Sequence, residues 1–212
     1  MTFRKISFLL GFLLFALQMQ AQQSATYTSD LVEYQKALTL YNNQQYQAAQ
    51  SLFESIKDDA PNETLESDCA YYIANCAVRL NQQNADDLIQ DFMEDYPTST
   101  KRNTAFLDVA DFYFANGKYS YARKWYDKVD ESSMARSERE KFYFNYGYSL
   151  YSTQDEAGAS KYFNKVVTSK TYGSQAKYYI GFMAYEGDDY DKANEYFDQV
   201  SDEDKYKEKL SY

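Results

Sequence analysis

Small and large apolar positions alternate along this chain at intervals that fit helices. In residues 109–129, VADFYFANGKYSYARKWYDKV, Ala110 precedes Tyr113, a break falls at Gly117, and Tyr119, Ala122, Tyr126 and Val129 resume the apolar series. Positions three and four apart share one face of an α-helix. The stretch therefore predicts two helices joined by a tight turn, with Ala110 and Ala122 at their contact and Tyr126 and Val129 on the inner stripe. The pattern recurs. First-helix small residues Ala37, Ala74, Ala110, Gly147 and Gly181 are spaced by 37, 36, 37 and 34. In four copies an alanine follows twelve later (Ala49, Ala122, Ala159, Ala193), and Phe53, Tyr126, Phe163 and Phe197 come four after it. The copy with Ala74, Ala85, Ile89 and Phe92 has a turn, NQQNAD, that reads as one residue short.

The expected units run about 30–63, 67–98, 103–136, 140–173 and 174–207, with Asp30 capping the first helix. Pro61 and Pro97, the two prolines, fall where second helices end. With only 7 Gly and 2 Pro, the composition favours long helices and short connections.

The five copies, with both prolines in register, resemble the tetratricopeptide repeat (TPR), whose period is 34 residues. The resemblance covers residues 30–207. It implies an all-α, right-handed superhelical solenoid of about five helix-turn-helix units, and a protein–protein interaction role. The first two units, with their DDAP-type and EYP-type endings, are similar to periplasmic TPR proteins of the BamD and Tol-coordinator kind. YFANGKYSYARKWYDKV and YYIGFMAYEGDDYDKANEYFDQV are similar to the N-terminal part of long exported TPR proteins of Bacteroidota. By the register of the family, the fifth, ninth and twelfth positions of each unit face a concave groove. These are Tyr34, Leu38 and Tyr41; Tyr71, Asn75 and Val78; Leu107, Asp111 and Phe114; Phe144, Tyr148 and Tyr151; and Tyr178, Phe182 and Tyr185. The expected peptide-binding residues are the aromatic members with Asn75 and Asp111. TPRs that clamp a C-terminal carboxylate use Lys and Asn here; only Asn75 matches, with Arg79 and Lys141 nearby, so an acidic tail is not implied.

Charge narrows the function. The 212 residues carry 22 Lys+Arg against 32 Asp+Glu, net −10, and no His. Nucleic acid needs clustered cations and is not expected as a partner. Without His, Ser-His and Cys-His nucleophile systems are excluded within the chain. No catalytic residue, cofactor site or metal site stands out: the EGDDYD segment at Glu186–Asp191 shares only composition with a calcium loop. The protein is expected not to be an enzyme.

Arg4 and Lys5, the apolar run Ile6–Leu17, and Ala21 read as a cleaved signal peptide, 1–21, followed by a flexible 22–29. Its removal would leave 20 basic and 32 acidic residues and no integral membrane segment. The expected location is exported, periplasmic or outer-membrane-associated. Tyr206, Leu210 and Tyr212 read as the start of a further helix at 208–212 or of a longer array. Cys69 and Cys76, seven apart in one helix, are about 10.5 Å apart along it, beyond the roughly 7 Å of a disulfide, so two free buried thiols are expected. The functional expectation is a cell-envelope scaffold that binds a protein or peptide partner through an aromatic groove. The alternative is a carbohydrate- or peptidoglycan-binding protein, since tyrosines could stack on sugars.

Overall fold

The computed structural model describes residues 31–201 and Tyr206. Asp30, the leader 1–21, segment 22–29, Leu210 and Tyr212 lie outside the described residues. The chain forms two bodies, 1–101 and 102–212. The first holds α1 (31–42), α2 (Tyr46–Asp58), α3 (Glu63–Arg79) and α4 (Ala85–Asp95). The second holds α5 (Arg102–Ala115), α6 (Tyr119–Tyr126), α7 (Arg136–Ser152), α8 (Glu156–Asn164), α9 (Gly173–Glu186) and α10 (Tyr190–Asp198). Among the described residues there is no strand. No helix there is long and apolar enough to cross a membrane.

One turn closes all five hairpins. Gln44, Asn81, Gly117, Gln154 and Asp188 have φ of 61°, 55°, 69°, 65° and 60°. The amide after each reaches back five residues. Gln45, Gln82, Lys118, Asp155 and Asp189 donate to the carbonyls of Leu40, Ala77, Tyr113, Leu150 and Ala184 at 2.9–3.0 Å. This bond and a left-handed residue together end a helix while satisfying its last carbonyls. The conformation suits Gly117; at the other four positions a side chain is carried at some cost.

The small residues act as expected. A Cβ on Gly147 would lie 3.1 Å from the Phe163 ring and 3.3 Å from Tyr162 Cβ; one on Gly181 would lie 2.8 Å from the Phe197 ring. At the corresponding sites Ala37, Ala74 and Ala110 are wholly buried, as are Ala49, Ala122 and Ala159 on the second helices. The aromatic four residues on then meets the next hairpin. Phe53 stacks on Tyr72 (4.9 Å, 10°), and Phe163 on Tyr179 (5.6 Å, 13°). Tyr126 meets Phe142 edge-on at 5.6 Å.

The NQQNAD hairpin differs in where its second helix starts. In the other four, that helix begins directly after the amide that bonds back. Here Ala85 itself opens α4 after a longer connection, 80–84. The connection expected to be one residue short is thus the longer one, because α4 starts later relative to its alanine, and Ile89 and Phe92 still reach the core.

Cys69 and Cys76 are free and fully buried in α3. Burial pushes both thiols up to about 12. Tyr206, expected at an open end, is helical and buried, stacking on Tyr178 at 5.0 Å.

Candidate functional site

In the 102–212 body, the expected groove positions join into a strip of touching rings. Phe114 of α5 meets Tyr148 of α7 at 5.8 Å. Tyr148 continues to Tyr151 (6.2 Å), and Tyr151 to Phe182 of α9 (6.5 Å). Phe182 stacks on Tyr178 at 6.2 Å. Phe114, Tyr148, Tyr151, Tyr178 and Phe182 are all half-buried, each held by neighbouring rings. Tyr185, one turn beyond Phe182, is exposed. Phe144 is instead 7% exposed, packed between Phe163 and Tyr172.

Two residues missed in the sequence complete the strip. Tyr119 opens α6 and lies 4.9 Å from Tyr148 and 5.5 Å from Phe114. Tyr179 lies 5.1 Å from Tyr148 and 5.3 Å from Tyr151. Burial and the Tyr148 hydroxyl raise both phenols above their ordinary value. The position directly after the fifth carries Tyr72 and Tyr179, a recurrence that could have flagged the second of them.

Asp111 is not an open charge in a groove. It accepts from the Tyr126 hydroxyl at 2.5 Å, from Lys141 Nζ at 2.7 Å, and from Asn145 Nδ2 at 3.2 Å. Three helices, α5, α6 and α7, are joined through this one carboxylate. Burial, then Asp111, raises the Tyr126 phenol far above its ordinary range. Between α6 and α7 the network adds to the ring contacts of Tyr126 with Phe142 and Tyr146, both at 5.6 Å, where the α2–α3 and α8–α9 seams carry parallel stacks.

In the 1–101 body the predicted residues divide. Tyr34 and Tyr41 are half-buried. Tyr34 donates to Asp68 at 3.2 Å; Tyr41 contacts Tyr46 at 5.5 Å and lies under the Arg79 guanidinium at 5.1 Å. Tyr71 and Asn75 are 6% and 0% exposed. Asn75 donates to the Tyr71 carbonyl (3.1 Å) and accepts from Arg79 (2.8 Å), which ties the amide to its own helix.

The clefts lie off the ring strip. One of 130 Å³ is lined by Glu63, Ser67, Asp68 and Thr98. One of 380 Å³ lies by Ser169, Gly173, Lys177 and Tyr196, and one of 240 Å³ by Glu156, Ser160, Ile180 and Lys192. Among the described residues no three His, Cys, Asp or Glu are placed to hold a metal ion. In EGDDYD, Asp189 caps α10 through the Lys192 amide (3.2 Å), and Asp188 accepts from the Tyr190 hydroxyl (2.8 Å).

These helix hairpins, closed by one turn and within each body stacked through one aromatic position, have the all-α fold of the tetratricopeptide type. Two stretches, 68–99 and 175–204, match the family model "Tetratricopeptide repeat". The first is the unit whose turn reads as irregular. The fold is shared with MamA structures. MamA of AMB-1 is 18% identical over 83% of this chain and 92% of that chain, with a TM-score of 0.61. MamA 41-end from Desulfovibrio magneticus RS-1 is 13% identical over 86% and 97%, with a TM-score of 0.60. At such identities the likeness is one of fold. No curated protein sequence matches the chain.

Proposed function

We propose that this chain is a non-enzymatic interaction scaffold of the cell envelope, and that its 102–212 body takes up a peptide segment of a protein partner along the aromatic strip. One observation carries the reading. Tyr119, Tyr148, Tyr151, Tyr179 and Phe182 form a strip of rings that hold each other in place at the surface. Rings already fixed lose little side-chain freedom on binding, and the tyrosines offer apolar area with a polar edge. TPR-type hairpins are protein-binding folds, which supports a scaffold. The envelope setting rests on the leader-like segment with Arg4, Lys5 and Ile6–Leu17. The glycan-binding alternative is weaker, because Trp125, the one tryptophan and the best sugar platform, is fully buried on α6.

A photoreactive residue at position 151, with Lys124 on α6 as the comparison site, tests the groove in cells. Position 151 should capture a defined protein band that disappears when Phe182→Ala is added. The same band from position 124, or one indifferent to Phe182→Ala, would remove the strip as the binding site. A mature N-terminus at Gln22 by mass spectrometry tests export; an intact Met1 would refute it.

A further inference from the structure

The strip is chemically asymmetric. Toward the α9–α10 turn it passes from shared ring packing to exposed rings among carboxylates. Tyr185 and Tyr190 are 55% and 54% exposed, in edge-to-face contact at 5.6 Å. Asp188 holds the Tyr190 hydroxyl at 2.8 Å, which fixes that ring beside a carboxylate. From Tyr178 to Ser201 there are six carboxylates and one lysine, Lys192. Glu186, Asp188 and Glu156 are exposed. Glu186 and Glu156 are near enough to Tyr151 to reinforce the upward shift that burial gives its phenol. Asp155 does not add to this end, being paired with Arg123 at 2.9 Å.

Exposed ring faces attract a cation through their quadrupole, and nearby carboxylates add to that attraction. A peptide carrying acidic residues would be repelled at the same place.

We propose that this end of the strip, where Tyr185 and Tyr190 lie beside Glu186 and Asp188, receives the lysine- or arginine-bearing part of a partner peptide whose apolar part lies on Tyr148 and Tyr151. The inference rests on the strip being the peptide site. It adds the polarity of the peptide and its direction: apolar residues over α7, cationic residues toward the α9–α10 turn. Glu156 and Lys192 line the same neighbouring cleft, so neither belongs to this end.

Random dodecapeptides displayed on phage are panned on the full chain and on a Tyr148→Ala/Phe182→Ala variant whose helicity is confirmed by circular dichroism. The most enriched peptide is then measured by fluorescence anisotropy. Strip-dependent peptides should carry net positive charge beside an apolar core. Glu186→Gln/Asp188→Asn should weaken the best of them about fivefold at low salt, with a much smaller difference at 1 M salt. Asparagine at 188 keeps the left-handed turn available. Strip-dependent peptides that are neutral or acidic, or an affinity unchanged by the carboxylate substitutions, would overturn the inference and leave the strip as the binding site. Absence of any strip-dependent peptide would overturn both.

Discussion

Replacing Asp111 by alanine separates the two roles its position allowed, ligand contact and internal tie. The substitution takes an acceptor from three donors. Tyr126 is 1% exposed, so its hydroxyl at 2.5 Å would be left buried without its partner. That costs about 1–3 kcal/mol. Asn145 is 6% exposed and loses a 3.2 Å bond, about 1 kcal/mol more. The Lys141 side chain is 54% exposed, so water replaces its 2.7 Å contact and the loss is at most about 0.5 kcal/mol. The sum is about 2–4 kcal/mol. Trp125 is the one tryptophan, fully buried next to Tyr126 in α6, so its fluorescence in a urea titration reports this body. With a slope near 2 kcal/mol/M, the midpoint should fall by about 1–2 M. Tyr126→Phe alone leaves Asp111 with two donors and should cost about 1 kcal/mol. The double variant should cost less than the sum of the two, by about 1–2 kcal/mol, since no orphaned phenol remains. Strict additivity, or an Asp111→Ala midpoint equal to that of the parent, would refute the tie and return Asp111 to the groove.

Other substitutions probe the repeat itself. Phe163→Ala empties the space against Gly147 and Tyr179 and should cost about 3–5 kcal/mol in the same titration, whereas Ala122→Leu should overpack its hairpin by about 1–3 kcal/mol; parental midpoints would show that these positions are not core. Gln154→Gly relieves a side chain at φ 65° and should raise stability by about 0.5–1 kcal/mol, and the midpoint with it; a lowered midpoint would refute the turn geometry. For Glu131, burial disfavours ionisation, but Lys165 (2.8 Å) and Tyr162 (3.0 Å) outweigh it and hold the carboxyl below its ordinary value. Its stabilising contribution is complete above the unfolded carboxyl value and is lost as pH falls through the depressed folded one. The stability gap between the parent and Glu131→Gln should therefore shrink between pH 7 and pH 3; a gap that widens on acidification would contradict this sign. Cys69 and Cys76, with thiols pushed up to about 12, should resist alkylation at pH 8 until denaturant is added.

The sequence alone determined the hairpins. Small residues twelve apart followed by an aromatic four later leave few packings other than two close helices and a filled seam, and Gly147 and Gly181 meet Phe163 and Phe197 as that spacing requires. It also determined that Cys69 and Cys76 stay free, because seven residues of helix hold them apart. Where helix α4 begins was not legible: the short spacing read as a short turn, whereas the connection 80–84 is the longer one and α4 starts only at Ala85. The groove was legible as a register but not as a surface. Phe144, Tyr71 and Asn75 share that register with Tyr148 and Tyr41, yet neighbouring helices cover the first three and leave the last two half open. Tyr119 and Tyr179 enter the strip from positions the register omits. Asp111 had the position of a ligand contact and became a tie among α5, α6 and α7. Periodicity fixes which face of a helix a residue occupies. Whether that face meets solvent, a ring or a lysine depends on side chains about 15–35 positions away, which only the packed hairpins bring together.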